Sequence, residues 1–345
     1  MADADWRVIG RSVRGASHVR TGKENQDAYD CRPSSGEGPP LIVAVSDGHG
    51  SATSFRSRTG SRLAVRVALD VIDRFRVDFA SKPTPAVSTA ADDVLPRNLV
   101  RSWQTEVDAD LKLHPFTQDD LTLLEARDGG AGRRRLDQNP RLAYGATLLA
   151  VGLWPEHTLY VQLGDGDILE VDDAGRTRRP LPPDERLIAN ETLSLCSPRA
   201  ELDFRTRVTH GAVNRPALIL LSTDGYSNSF RNDADFLKVG TDILDLLRTE
   251  GISKVKLDLG TWLKNASESG SGDDITLAIM CRLSATRLNV GTGSEDPPRP
   301  AGPRDDATDD ARTAAGSDRL AIPPRPDDTV PPRLQSPRRR GRSGL

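Results

Sequence analysis

Short apolar runs separated by turn residues recur along the chain as far as Met280. "LIVAVS" (41–46), "GATLLAVGL" (145–153), "TLYVQLG" (158–164), "ALILLS" (217–222) and "ITLAIM" (275–280) are β-branched or leucine-rich and bounded by turn formers. That is the pattern of buried strands. After the first of them, Phe55, Leu63, Val67, Val71 and Phe75 recur at spacings of four and eight, with Ala64, Ala68 and Ile72 beside them. This predicts a long amphipathic helix covering a sheet. Further helical patterns run through "RNLVRSWQTEVDADLKL", "DILDLLRTE" and "SKVKLDLGTWLKNA", the last placing Ile252, Val255, Leu259, Trp262 and Leu263 on one face. Helices therefore come in pairs between groups of strands, without strict βαβ alternation. The order favours an α+β domain of mainly antiparallel sheets flanked by helices over a doubly wound parallel sheet. "ASKPTPAVSTAADD" and "RDGGAGRRRLDQNP" read as inserted surface loops. No internal repeat is visible.

Composition narrows the function classes. Lysine plus arginine number 47 against 50 aspartate plus glutamate, so no global field points to nucleic acid or an anionic membrane. Cys31, Cys196 and Cys281 are widely spaced, with no CxxC pair, which suits a reducing compartment. There is no signal-like apolar segment and no run long enough to span a bilayer. The expectation is a soluble cytoplasmic protein. Residues 1–282 read as one domain. Residues 283–345, rich in Pro, Gly, Asp and Arg and without an aromatic residue, read as a disordered tail ending in a solvated basic run, "RRRGR".

The candidate chemistry lies where the apolar runs end. "ENQDAYD" supplies Asp27, "VSDGHG" Asp47, "LGDGD" Asp165, "LLSTDGYS" Asp224, and "SGDDIT" Asp273 with Asp274. One carboxylate at a strand end is a cap or turn residue. Several converging at one rim would repel one another, and divalent cations resolve that repulsion. Oxygen ligands without Cys or paired His select Mg²⁺ or Mn²⁺ over zinc, and two such ions sharing a carboxylate can hold a hydroxide for in-line attack on phosphorus. Gly48 leaves its backbone carbonyl free to reach a metal, and Gly225 leaves room beside Asp224. An EF-hand fails at "GDGDILEVDD", where Leu169 occupies a ligand position, and a P-loop fails at "RTGKEN", where Glu24 replaces Ser or Thr.

Taken in order, "NQDAYD", "VSDGHG", "YGATLLAVG", "QLGDGD", "LLSTDGYS" and "GDDITLAIM" resemble the metal-dependent Ser/Thr protein phosphatases of the protein phosphatase 2C family, across roughly residues 13–282. The resemblance implies a β-sandwich of two antiparallel sheets flanked by helix pairs. It also implies a binuclear Mn²⁺ or Mg²⁺ centre that activates a bridging water against phosphoserine or phosphothreonine. By position, Asp47 bridges the metals and the Gly48 carbonyl binds one of them. Asp224 and Asp273 complete the other ion, Asp27 acts near the first site directly or through water, and Asp165 matches an aspartate tied to a third metal in bacterial members. Asp274 sits where the family usually has asparagine. His49 matches a histidine proposed in eukaryotic relatives as general acid for the leaving alkoxide, a role suited to an imidazole titrating near neutrality.

The departures point to a bacterial subgroup with an altered phosphate pocket. Gly22 stands where many members place a phosphate-binding arginine, leaving His18 or Arg20 as substitutes. Gln26 replaces a frequent glutamate, and Gly166 a usual serine. The family's flap falls between "GDGD" and "STDG", and its Asn190, Glu191 and Thr192 read as loop and cap residues. The implied partner is a phosphoprotein, with an opposing Ser/Thr kinase. The rival reading is a pseudophosphatase that keeps the fold and binds phosphoproteins without turnover.

Overall fold

The computed structural model describes residues 5–182, 193–211 and 215–287. Asn190, Glu191 and Thr192, and the tail from 288 onward, lie outside the described residues. From the amino-terminal side, β1 (Trp6–Val13) leads through α1 (Ala16–Thr21) to β2 (Ala28–Arg32), β3 (Glu37–Gly38) and β4 (Leu41–Ser46). The helices α2 (Ser57–Phe79), α3 (Thr84–Asp93), α4 (Leu95–Leu113) and α5 (Gln118–Gln138) follow. After them come β5 (Leu148–Leu153), β6 (His157–Leu163), β7 (Asp167–Val171), β8 (Thr177–Arg178) and β9 (Arg205–His210). The remaining elements are β10 (Leu218–Ser222), α6 (Asp224–Ser227), α7 (Asp233–Thr249), α8 (Gly251–Ser269), β11 (Ile275–Arg282) and α9 (Leu283–Thr286).

The strands form two sheets, ordered β3-β1-β11-β10-β7-β8 and β2-β4-β5-β6-β9, and every pairing between them is antiparallel. The α+β expectation holds. Side-chain alternation explains why the runs are apolar throughout: in β4, Leu41, Val43 and Val45 enter the core between the sheets, while Ile42 and Ala44 face α2. In β10, Ile219 and Leu221 enter that same core and Leu218 and Leu220 face the helices of the other side. A strand buried on both faces shows no polar alternation. Helix α2 presents Leu63, Ala64, Val67, Ala68, Val71, Ile72 and Phe75 to its sheet, and α7 and α8 bury Phe236, Ile243, Leu244, Val255, Leu259 and Leu263 against the other. The result is four layers, helix, sheet, sheet, helix.

Two stretches read as loops are helical. "ASKPTPAVSTAADD" contains α3, whose Val87 and Ala91 are fully buried. Pro85 lies in its first turn, where a missing N–H costs nothing, so its proline and hydroxyl content masked a helix set by packing. "RDGGAGRRRLDQNP" runs through the second half of α5, two helical segments joined at Gly129, whose φ of 67° lies in the left-handed region. Leu124, Gly132 and Leu136 bury its inner side. Leu283–Thr286, given to the tail on sequence, forms α9 with Ala285 buried. Among the described residues no helix is long and apolar enough to cross a membrane.

Register brings the strand ends to one rim. Ala28 at the start of β2 pairs with Ser46 at the end of β4, and Leu148 at the start of β5 with Leu163 at the end of β6. In the other sheet, Ser222 at the end of β10 pairs with Asp167 and with Leu277 near the start of β11. The acidic turns that follow or precede these residues therefore share one edge of the sandwich.

Candidate active site

A cavity of about 300 Å³ opens at that rim, lined by Asp47, His49, Asp165, Asp224, Asp273 and Asp274 together with His18, Gln26 and Gly48. Five acidic residues from four separate turns thus meet around one space.

Asp47 follows β4, and the backbone there is locked to the start of β5. Its N–H donates to Thr147 Oγ1 at 3.0 Å and its carbonyl accepts from Thr147 N–H at 2.8 Å, while Gly48 bridges Ala146. A Cβ on Gly48 would stand 2.7 Å from the carbonyl oxygens of both Gln26 and Ser57, so only glycine fits. At Gly225 a Cβ would meet the Asp274 carbonyl at 2.1 Å. The space left by the missing side chain admits the Asp274 carbonyl. Asp224 opens α6, where Asn228 Nδ2 donates to its Oδ2 at 3.0 Å.

The carboxylates are electrostatically frustrated. Burial, then the charges of Asp27 and Asp224, raise Asp47 well above the usual carboxylate range. Burial also raises Asp224, which shares a hydrogen bond with Asp47 and feels the charges of Asp165 and Asp273. Buried carboxyls crowded in this way favour the protonated form. Burial lowers His49, with the Asp165 charge opposing the shift.

Asp27 does not line the cavity. It lies behind it, 6% exposed, with Oδ2 accepting from Thr223 Oγ1 at 2.8 Å and standing 2.8 Å from Thr276 Oγ1. Burial outweighs these hydroxyls and raises its pKa well above the usual range. Thr147, Thr223 and Thr276 were not singled out on sequence. For Thr223 and Thr276 the one signal is adjacency, since threonine stands beside the Asp-Gly of "STDG" and follows "DDI" in "DDIT", while Thr147 lies within "YGATLLAVG".

Asp274 does not share Asp273's setting. The Asp273 side chain is 56% exposed, whereas that of Asp274 is 3% exposed. Asp274 Oδ1 accepts from Gly15 N–H at 2.6 Å and Oδ2 from Gln26 N–H at 2.7 Å, with His18 Nδ1 2.9 Å from Oδ2. It is a clamp that fixes the segments before α1 and before β2. His18 reaches the cavity, its Nε2 3.8 Å from Asp273 Oδ1, and these three residues could hold a cation between them. Arg20 is exposed on α1, outside the cavity lining. Gly22 caps α1 in the left-handed region, with φ 74° and open space around it, which accounts for the absence of an arginine there.

Apart from His18 Nδ1, which stands 2.9 Å from Asp274 Oδ2 outside hydrogen-bond geometry, two buried polar atoms of the lining have no hydrogen-bond partner, Gln26 Oε1 and His49 Nε2. Gln26 spends its amide on Ser57 Oγ at 2.7 Å. Buried orphans are rare in folded proteins, and two beside crowded carboxylates fit a site built around hard cations and an oxyanion.

A family model for protein phosphatase 2C matches residues 14–264. The chain belongs to the protein phosphatase 2C family. It is thereby a protein serine/threonine phosphatase by class, and metal dependence is a property of that family. No curated protein sequence matches it. Among solved structures it is similar to the Mycobacterium tuberculosis serine/threonine phosphatase PstP/Ppp, 16% identical over 80% of this chain and 98% of that one, with a TM-score of 0.48. It is also similar to serine/threonine phosphatase Stp1 from Staphylococcus aureus, at 12% identity, 79% and 94% coverage and a TM-score of 0.48. A third is PppA, a regulatory component of T6SS in Pseudomonas aeruginosa, at 17% identity, 80% and 97% coverage and a TM-score of 0.46.

Proposed function

We propose that this 2C-family chain hydrolyses phosphoserine and phosphothreonine in a protein substrate, opposite a Ser/Thr kinase, with two Mn²⁺ or Mg²⁺ ions. The observation that carries the reading is the cavity in which Asp47, Asp165, Asp224 and Asp273 converge and whose lining leaves Gln26 Oε1 and His49 Nε2 buried and unpaired. Asp47 and the Gly48 carbonyl would hold one ion, and Asp47 with Asp224 and Asp273 the other. Asp165, in the same lining, would serve a third. When bound, the pair would neutralise the carboxylates and supply a water of lowered pKa for attack on phosphorus.

The chain's own residues do the rest. Thr147 orients Asp47 through the two bonds that lock its backbone. Asp27, pinned by Thr223 and Thr276, would act near the first ion directly or through water. His49 lies at the cavity wall with Nε2 unpaired; as general acid for the departing serine or threonine oxygen, a poor leaving group without a proton, it would have to act in the protonated form that burial disfavours. His18, rather than the solvent-facing Arg20, is positioned to reach the phosphate. The catalytic unit runs through β11 and α9, with the Pro-, Asp- and Arg-rich remainder as a tail.

The test is release of phosphate from a phosphothreonine peptide with Mn²⁺. Asp47→Asn should lower turnover by at least about 100-fold, because it removes the ligand common to both ions. Turnover that survives this change would refute the assignment.

A further inference from the structure

Beside the catalytic cavity, and sharing Gln26, Gly50 and Ser51 with it as a common wall, lies a second groove of about 510 Å³. Three segments far apart in sequence build it. The stretch after α1 gives Lys23 and Glu24, the start of α2 gives Arg58, and α5 gives Arg127, with Phe55 on the floor. Three cations thus face one carboxylate, and that carboxylate, Glu24, is already paired with Arg58.

The other two cations have almost no internal employment. Arg127 is exposed and, among the described residues, has no ion-pair or hydrogen-bond partner. Lys23 makes one long contact, from Nζ to the Gly50 carbonyl at 3.4 Å. Arg58 Nε is buried without a partner. Most other arginines flanking α2 and α5 are paired, Arg66 with Glu106, Arg133 with Asp137 and Arg135 with Asp128. On a chain of formal charge −3, these cations gather next to an acidic cavity.

We propose that this groove is a substrate subsite that receives acidic side chains flanking the phosphorylated residue. This rests on the phosphatase reading above and adds a substrate class to it. An extended peptide advances about 3.3 Å per residue, so a phosphoresidue in the cavity sends its near neighbours over the Gly50–Ser51 wall into the groove. There Lys23 and Arg127 take carboxylates, Arg58 adds a third positive charge, and Phe55 covers an aliphatic stem. The cations lie beyond the wall, so they select sequence around the phosphate and do not hold the phosphate itself. Charges of this kind at the rim of a site act through steering and selection against like charge.

The experiment compares kcat/KM of the full chain with Mn²⁺ on three phosphothreonine peptides of equal length, flanked by aspartates, by alanines or by lysines. p-Nitrophenyl phosphate is measured in the same preparation. The aspartate peptide should exceed the lysine peptide by about three- to tenfold, with the difference shrinking as salt is raised. Arg127→Glu, on an exposed helix position, and Lys23→Glu should each lower that ratio, and together they should invert it. Equal rates across the three peptides, with p-nitrophenyl phosphate still cleaved, overturn the subsite alone, as does a ratio that neither variant moves. Failure to cleave any of the four substrates overturns the phosphatase reading and the subsite with it.

Discussion

Asp274 shows how one side chain can look like a ligand and serve as a clamp. Its two oxygens accept from the N–H groups of Gly15 and Gln26, residues remote from it in sequence. Asparagine, the residue more usual here in the family, would turn an amide NH₂ toward one of those donors. Asp274→Asn should therefore cost about 1–3 kcal/mol, as a buried donor left facing another donor does. Denaturant midpoints of the metal-free protein measure this, and an unchanged midpoint would remove the clamp from the account. Gly166 is similar, since a Cβ there would stand 2.6 Å from the Ser222 carbonyl. Asp47 is the opposite case, kept at a cost to the fold. Its folded pKa is raised, so the metal-free folded chain binds a proton more tightly than the unfolded chain, and its charged form subtracts stability as pH rises from about 4 through the folded value. Asp47→Asn should stabilise metal-free protein at pH 8, with the gain shrinking as pH falls and the wild-type carboxyl takes up its proton. Thermal midpoints across that range decide it, and a gain that grows in acid would contradict the sign.

At the scale of elements, what could be read from sequence follows burial. β4, β5, β6, β10 and β11 are buried on both faces, so their apolar runs stand out. β1, β2 and β9 carry arginines or aspartates at half-exposed positions and left no such run. Helix α3 hides behind threonine, serine and proline, and α5 behind the glycines at its break, because tertiary packing and a single left-handed residue decide those segments. Helix α1 is short, yet it explains a departure from the family pattern. It needs a left-handed residue at Gly22 to end, and that leaves His18 on the buried side and Arg20 in solvent. Gly22→Arg, which restores the family's usual residue, should cost about 1 kcal/mol of stability from the positive φ. A chemical denaturation curve tests this, and an unshifted midpoint would show that the cap tolerates a side chain.

Across the whole molecule, two antiparallel sheets of fixed register carry Asp47, Asp165, Asp224 and Asp273 to one rim. The sequence motifs named these residues without their layering. That Asp27 stands behind the cavity depends on hydroxyls from β11 and the turn after β10. That Lys23, Arg58 and Arg127 share a groove depends on how α2 and α5 pack, and neither relation has a local signal. The rim is proposed as a divalent-cation centre for phosphate ester hydrolysis. The most direct measurement is p-nitrophenyl phosphate turnover by the purified chain with Mn²⁺, with Mg²⁺ and with chelator, alongside Asp224→Asn. Turnover should require added metal and be lost both in chelator and in Asp224→Asn. No turnover by folded, Mn²⁺-loaded protein, or turnover that persists in the variant, would contradict it, the first result pointing to a phosphoprotein-binding module on the same fold.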